Sequence, residues 1–149
     1  MDKLMATLLK MANDIADLRR DVEDLKRREI PAGLWKAWTP ASQTGWTALP
    51  GGSYRYALFG NTVFVSINMT SGTSNGTNAV ISLPYQASGQ TFTGTNGYAV
   101  DNGTGLTVAT HWDIPASSST INFYTDMVAG GWTASGTKRI YCVAFYERA

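Results

Sequence analysis

Residues 54–70 read Tyr54-Arg55-Tyr56-Ala57-Leu58-Phe59-Gly60-Asn61-Thr62-Val63-Phe64-Val65-Ser66-Ile67-Asn68-Met69-Thr70. Val63, Val65, Ile67 and Met69 recur at every second position, so they share one face of an extended strand. The preceding run, Tyr54–Phe59, is rich in aromatic residues suited to a pleated surface. Between the two runs stand only Gly60 and Asn61, a two-residue loop with glycine first. That is the composition of a type II′ hairpin turn. An antiparallel hairpin is therefore expected here, and it sets the class of everything downstream.

Working outward, further strands are expected at residues 79–83, 97–100, 106–112, 120–125 and 139–146. Stretches rich in Gly, Ser, Thr and Asn separate them: residues 71–78, 87–96, 101–105, 116–119 and 129–137. About six to eight short strands with frequent turn signals predict an antiparallel β-sandwich or jelly roll. No internal repeat is visible.

Upstream of residue 31 the period changes. Leu4, Leu8, Met11, Ile15, Leu18, Val22 and Leu25 follow alternating steps of four and three, the a/d seam of a left-handed coiled coil. Asp14 and Asp21 fall at g, and Arg19 and Lys26 at e. In a parallel, in-register coil Asp14 faces Arg19 and Asp21 faces Lys26 of the neighbouring chain, with opposite signs. The competing reading is a single amphipathic helix packed on its own domain, but such a helix usually shows a wider apolar stripe than strict a/d. Pro31 and Gly33 end the helix. The expected organisation is thus a coiled-coil oligomerisation and docking helix at 1–30, a linker at 31–34 and a β-sandwich head at 35–149. Ile15 and Val22 at a with leucine at d lean toward two strands. About four heptads are too few to hold an assembly alone, so the head must contribute to the interface.

Charge divides the chain in the same place. Residues 1–30 hold seven Lys/Arg and seven Asp/Glu, 14 of the 23 charged residues, and the other nine are spread over 119 residues. All 15 glycines lie at or beyond Gly33. The net charge is +1 with no basic block, so the electrostatic footprint of nucleic-acid binding is missing. No run approaches 18 apolar residues, so membrane insertion through a helix is not expected. The recurring charges of the N-terminus do not read as a secretory signal. A lone cysteine, Cys142, excludes an intrachain disulfide and reads as a buried small hydrophobe. The triplets beginning at Asn68, Asn75 and Asn102 match glycosylation acceptors but read as products of loop composition. A head so poor in charge must carry a Thr/Ser/Asn/Gly surface or hide a face between subunits.

A resemblance adds to this reading. It is carried by Trp38-Thr39-Pro40, Thr44-Gly45-Trp46, Tyr54-Arg55-Tyr56, Gly60–Val65, Ile81-Ser82-Leu83-Pro84-Tyr85 and the closing Ile140–Glu147. Over residues 35–149 the chain resembles the C-terminal β-sandwich heads of bacteriophage tail and fibre proteins. The resemblance implies a homotrimer preceded by a short coiled coil, and three chains are expected in spite of the two-strand lean. It transfers no receptor residues, and it departs from the family in lacking a long shaft or attachment domain.

Chemistry has few footholds. The single histidine, His111, lies in Ala109-Thr110-His111-Trp112-Asp113, where His111 and Asp113 share a strand face, but no nucleophile-elbow pattern accompanies them. The head offers four carboxylates, Asp101, Asp113, Asp126 and Glu147, too few to signal a glycosidase pair. Asp101-Asn102-Gly103 could supply oxygen ligands but reads as a turn. In a trimer, three copies of His111 or Asp126 could meet on the axis. No catalytic residue, metal or cofactor is assigned. The aromatic load, five Trp and seven Tyr, is the stronger signal. Trp112, Trp132, Tyr85, Tyr98 and Phe92 lie in or beside loops and are the candidate recognition surface. Packing is the competing reading for each. Trp35, Trp38 and Trp46 are expected to seal the base of the head; Tyr54, Tyr56, Phe64, Phe123 and Phe145 are expected in core or intersubunit packing.

The functional expectation is a non-enzymatic, trimeric structural fibre protein on the surface of a phage particle, on its tail or head. Its helix would dock to other virion proteins, and its head would bind a host-surface glycan or protein. The alternative is a soluble trimeric lectin or C1q-like recognition module. An enzyme such as a polysaccharide depolymerase is the weakest reading, for want of carboxylates.

Overall fold

The computed structural model describes residues 5, 7, 10, 11, 13–21 and 34–149. The chain divides into two units, Met1–Leu34 and Trp35–Ala149. In the first, residues 13–21 are helical, and Asp17 and Arg20 pair at 3.4 Å one turn apart. The described seam residues Met11, Ile15 and Leu18 are 50–63% exposed on the single chain. Asp14, Arg19 and Asp21 are also exposed. The seam positions Leu4, Leu8, Val22 and Leu25, and the charge at Lys26, lie outside the described residues.

The second unit is mainly β. Its strands are β1 (Lys36–Ala37), β2 (Gln43–Thr44), β3 (Gly52–Phe59), β4 (Thr62–Met69), β5 (Gly72–Thr73), β6 (Val80–Ser82), β7 (Phe92–Thr95), β8 (Tyr98–Asp101), β9 (Thr104–Gly105), β10 (His111–Ile114), β11 (Thr120–Tyr124) and β12 (Thr137–Glu147). They form two antiparallel sheets. One has seven strands, β1-β3-β4-β12-β8-β9 with β5 joined to β12; the other has five, β2-β6-β11-β10-β7. A single core draws on both: Val63, Val65, Ile67 and Ile140 from the first, and Ile81, Ile114, Ile121 and Phe123 from the second. Two antiparallel sheets sharing one core are consistent with a β-sandwich.

The deciding hairpin has the expected register. Phe59 pairs with Thr62, and the pairing runs back to Gly52 with Met69. Gly60 has φ +58° while Asn61 does not enter the positive region, as a II′ turn requires. Val63, Val65, Ile67 and Met69 are all buried. Two kinds of expectation are corrected. Residues 106–110 are not strand, and β10 begins only at His111. Residues 72–73, 92–95 and 104–105, expected as loop, form β5, β7 and β9.

Lys138, fully buried at the start of β12, binds the two sheets together. Its Nζ donates to the carbonyls of Gly45 at 3.1 Å, Asn78 at 3.0 Å and Gly76. The indole rings of Trp46 and Trp132 lie 5.8 and 5.9 Å from the cation. Burial pushes the ammonium pKa down, and the charge of Asp101 pulls it up. Gly45 makes this possible: it has φ +96°, and a Cβ there would stand 1.7 Å from the Asn78 carbonyl oxygen. Only glycine allows the two backbones to approach so closely.

Candidate functional site

The five-stranded sheet turns a polar face outward. Its register sets Thr95, His111 and Tyr124 in one row across β7, β10 and β11, and Thr93, Asp113, Asn122 and Val80 in the next. These side chains alternate with the buried Trp112, Ile114, Ile121 and Phe123, so the pleat that builds the core also builds the row. The Asp113 carboxylate accepts from Asn122 Nδ2 at 2.6 Å through Oδ1 and from the Tyr124 hydroxyl at 3.1 Å through Oδ2. The His111 ring stacks on Tyr124, with centroids 4.5 Å apart and planes 17° from parallel. His111 Nδ1 stands 2.5 Å from the Asp126 backbone oxygen. A carbonyl can only accept, so Nδ1 carries the proton and Nε2 is the acceptor of the neutral ring. Burial first, and the Asp113 charge second, raise the Tyr124 pKa. The hydroxyl therefore stays protonated and holds its bond to Asp113.

Beside this row a groove of about 250 Å³ opens between β6, β11 and residues 129–132. Asn122 and Tyr124 belong to both row and groove; Thr77, Asn78, Gly130 and Gly131 complete its polar lining. The loop is held by Asp126, whose Oδ1 accepts from the amides of Val128 and Gly130, both at 2.8 Å. None of the five strands of this sheet carries Lys or Arg.

The seven-stranded sheet turns a different face outward. Phe59, Phe64 and Phe145 form a chain of ring contacts at 5.5 and 6.0 Å. Phe59 is 42%, Phe145 56% and Val143 62% exposed. Tyr98 and Tyr141 continue the patch, their rings 5.6 Å apart, with Arg139 over both. Phe145 is thus not a core residue, and Phe64 is half-buried between the rings of Phe59 and Phe145.

The five aromatic candidates do not form one surface. Trp112 and Trp132 are core, each 2% exposed, and this corrects their placement on the recognition surface. Trp112 pairs across from Gly94, where a Cβ would stand 2.4 Å from the indole, so the missing side chain makes the space for the ring. Trp132 Nε1 donates to the Phe123 carbonyl at 2.7 Å. Phe92 is half-buried with its ring against Tyr146 at 6.4 Å. Tyr85 is half-buried too: its ring meets Tyr56 at 5.5 Å, and the Tyr146 hydroxyl donates to its carbonyl at 2.9 Å. Tyr98 alone is well exposed, and it lies on the apolar face. Trp46 is buried as expected, whereas Trp35 is 43% exposed.

Three of the four head carboxylates, Asp101, Asp113 and Asp126, are engaged locally. Asp101 accepts from the Thr133 amide and, at 2.8 Å, from its hydroxyl, and residues 102 and 103 make the turn with φ +48° and +77°. Among the described residues no three His, Cys, Asp or Glu side chains gather as a metal cluster. Cys142 is buried, and desolvation pushes its thiol up to about 12. A thiol held protonated is a poor nucleophile. The sequence showed His111 and Asp113 on one face but missed Asn122 and Tyr124. The signal was there in the alternation of Thr120-Ile121-Asn122-Phe123-Tyr124, which sets three polar side chains opposite two apolar ones.

Comparison of the chain with family models, curated proteins and solved structures finds no match.

Proposed function

We propose that the chain is a structural, non-enzymatic fibre subunit of a phage particle. In this reading it is a homotrimer with its helices parallel, and its β head faces outward to meet the host surface. The observation that carries the reading is the apolar patch of exposed Phe59, Val143 and Phe145 around half-buried Phe64, on a head that holds only nine charged residues. Apolar patches of this kind on a small body mark contact surfaces. The exposed Met11, Ile15 and Leu18 add a second uncovered apolar strip, on the helix. Trimerisation would cover both, and virion partners would take the outer surface of the helix. The local engagement of Asp101, Asp113 and Asp126 supports a body that binds rather than catalyses.

Sedimentation of the full chain at micromolar concentration tests the assembly, with three chains expected and one chain fatal to the reading. Immunogold labelling of intact particles tests the location. Labelled virions are expected, and their absence would favour the soluble recognition module, for which the polar groove is equally suited.

A further inference from the structure

We propose that the groove beside Asp113, Asn122 and Tyr124 binds a single ring of a neutral, hydroxyl-rich saccharide. The inference rests on the reading of the head as an outward recognition body and gives that reading its site. Size is the first ground. At about 250 Å³ the groove lies just below the ~300–1,000 Å³ span of drug-sized ligand pockets, which suits one ring better than a polymer or a peptide side.

Hydrogen-bond direction is the second ground. Asn122 spends one N–H on Asp113, and Tyr124 spends its O–H there. On the groove side the pair still offers acceptors, the Asn122 amide oxygen and the Tyr124 oxygen, and Thr77 and Asn78 across the lining bring a hydroxyl and an amide that both donate and accept. A ligand that answers them must donate several hydrogen bonds at once, which vicinal hydroxyls do. Charge is the third ground. Asp113 stands beside the groove and no Lys or Arg lies on the five strands; the ammonium of Lys138, which reaches the Asn78 carbonyl of the lining, is fully buried and spent on three carbonyls, so an anionic ligand meets no exposed cation on these strands. The apolar area that an interface core draws on lies on the seven-stranded sheet, which favours a small polar ligand over a protein partner here. The stacked His111–Tyr124 pair supplies a flat carbon surface at the edge of the polar cluster for the C–H face of a ring.

The test is a titration of the full-length ¹⁵N-labelled protein with methyl α-glucoside, methyl β-galactoside and N-acetylglucosamine, each to about 100 mM, followed by amide shifts. At least one sugar is expected to give saturable shifts at the Asn122 side-chain amide and at the Gly130 and Gly131 amides. Asn122→Ala and Asp113→Asn are expected to weaken that binding about tenfold. Gly131→Ala guards against misfolding of those variants. Its Cβ would meet the Thr77 oxygen at 3.5 Å, an ordinary contact, so it adds only a methyl to the groove lining. It is expected to weaken binding about threefold. Asn68→Ala, on the outer face of the seven-stranded sheet, is expected to bind as the parent does. Absence of saturable shifts with all three sugars would overturn the proposal, as would shifts centred elsewhere or parental binding by both Asn122→Ala and Gly131→Ala. The mass of the same samples separates the two ideas. A single chain that still binds sugar sinks the fibre reading alone, and a trimer that binds none sinks only the site.

Discussion

The outer face of the seven-stranded sheet carries Phe59, Phe64, Val143, Phe145, Tyr141 and Tyr98, while that of the five-stranded sheet carries Thr93, Thr95, His111, Asp113, Asn122 and Tyr124. Both faces obey the same period of two, and both back onto the same core. They differ in what replaces water. On the first, apolar rings at 42–56% exposure gain free energy only if another surface covers them. On the second, polar groups already satisfy one another and keep spare acceptors for a small ligand. The contrast teaches that one period of two can leave apolar rings uncovered on one sheet and mutually bonded polar groups on the other.

Four experiments would break or sharpen that contrast. The largest effect is expected where the sheets are tied together. Lys138→Met keeps the volume but leaves the carbonyls of Gly45, Gly76 and Asn78 without their donor. It should cost about 3 kcal/mol in urea denaturation. A loss below about 1 kcal/mol would show that the two sheets, and hence the two faces, do not depend on this tie.

Next comes the apolar face itself. Phe145→Glu should weaken self-association by about 2–4 kcal/mol, shifting the sedimenting species to one chain at micromolar concentration. Thr95→Glu, on the polar face, should leave the mass unchanged. The contrast between the faces fails if the two variants sediment alike.

The layer between the faces should respond to alkali. Cys142 is held protonated up to about 12 against its ordinary 9.0, and Tyr54 up to about 12 against 10.0, both by burial. Above pH 9 the unfolded chain releases protons that the folded chain retains, so stability must fall as pH rises. That stabilisation is complete below pH 9 and is lost as the pH climbs to about 12. Lys138 works in the opposite direction, because its lowered pKa makes folding easier as it deprotonates. The net loss between pH 8 and 11 should be on the order of 2 kcal/mol by thermal melting, and Cys142→Ala should flatten the lower part of the curve. A rising curve would mean that Lys138 dominates.

The smallest effect is expected on the polar face. Asp113→Asn removes a charged acceptor from a half-exposed cluster and should cost about 1 kcal/mol or less. A larger loss in its thermal melt would make Asp113 a structural keystone rather than part of an open site.

Much of the scaffold was legible in advance. The hairpin at Gly60-Asn61, the buried side of β4 and the general course of β6, β8, β11 and β12 all follow from alternation and turn residues, which are local. β7 was missed because Phe92-Thr93-Gly94-Thr95 contains a glycine and only one strong apolar residue. Its place comes from pairing with β10 and from the Trp112 ring that covers Gly94. Loop position likewise suggested exposure for Trp112 and Trp132, and the core claimed both.

What the residues alone determined is the partition of the chain: a charged stretch of heptad period, then a nearly uncharged body of period two. Those properties are set by neighbours a few positions apart. What only the tertiary structure decided is which of two alternating sets faces water and what each meets there. Lys138 reaches a carbonyl 93 positions away, and Asp113 finds its partners on the next strand. A period of two says which side chains share a face. Only the register of paired strands and the choice of covering sheet say whether that face becomes core, contact surface or binding site.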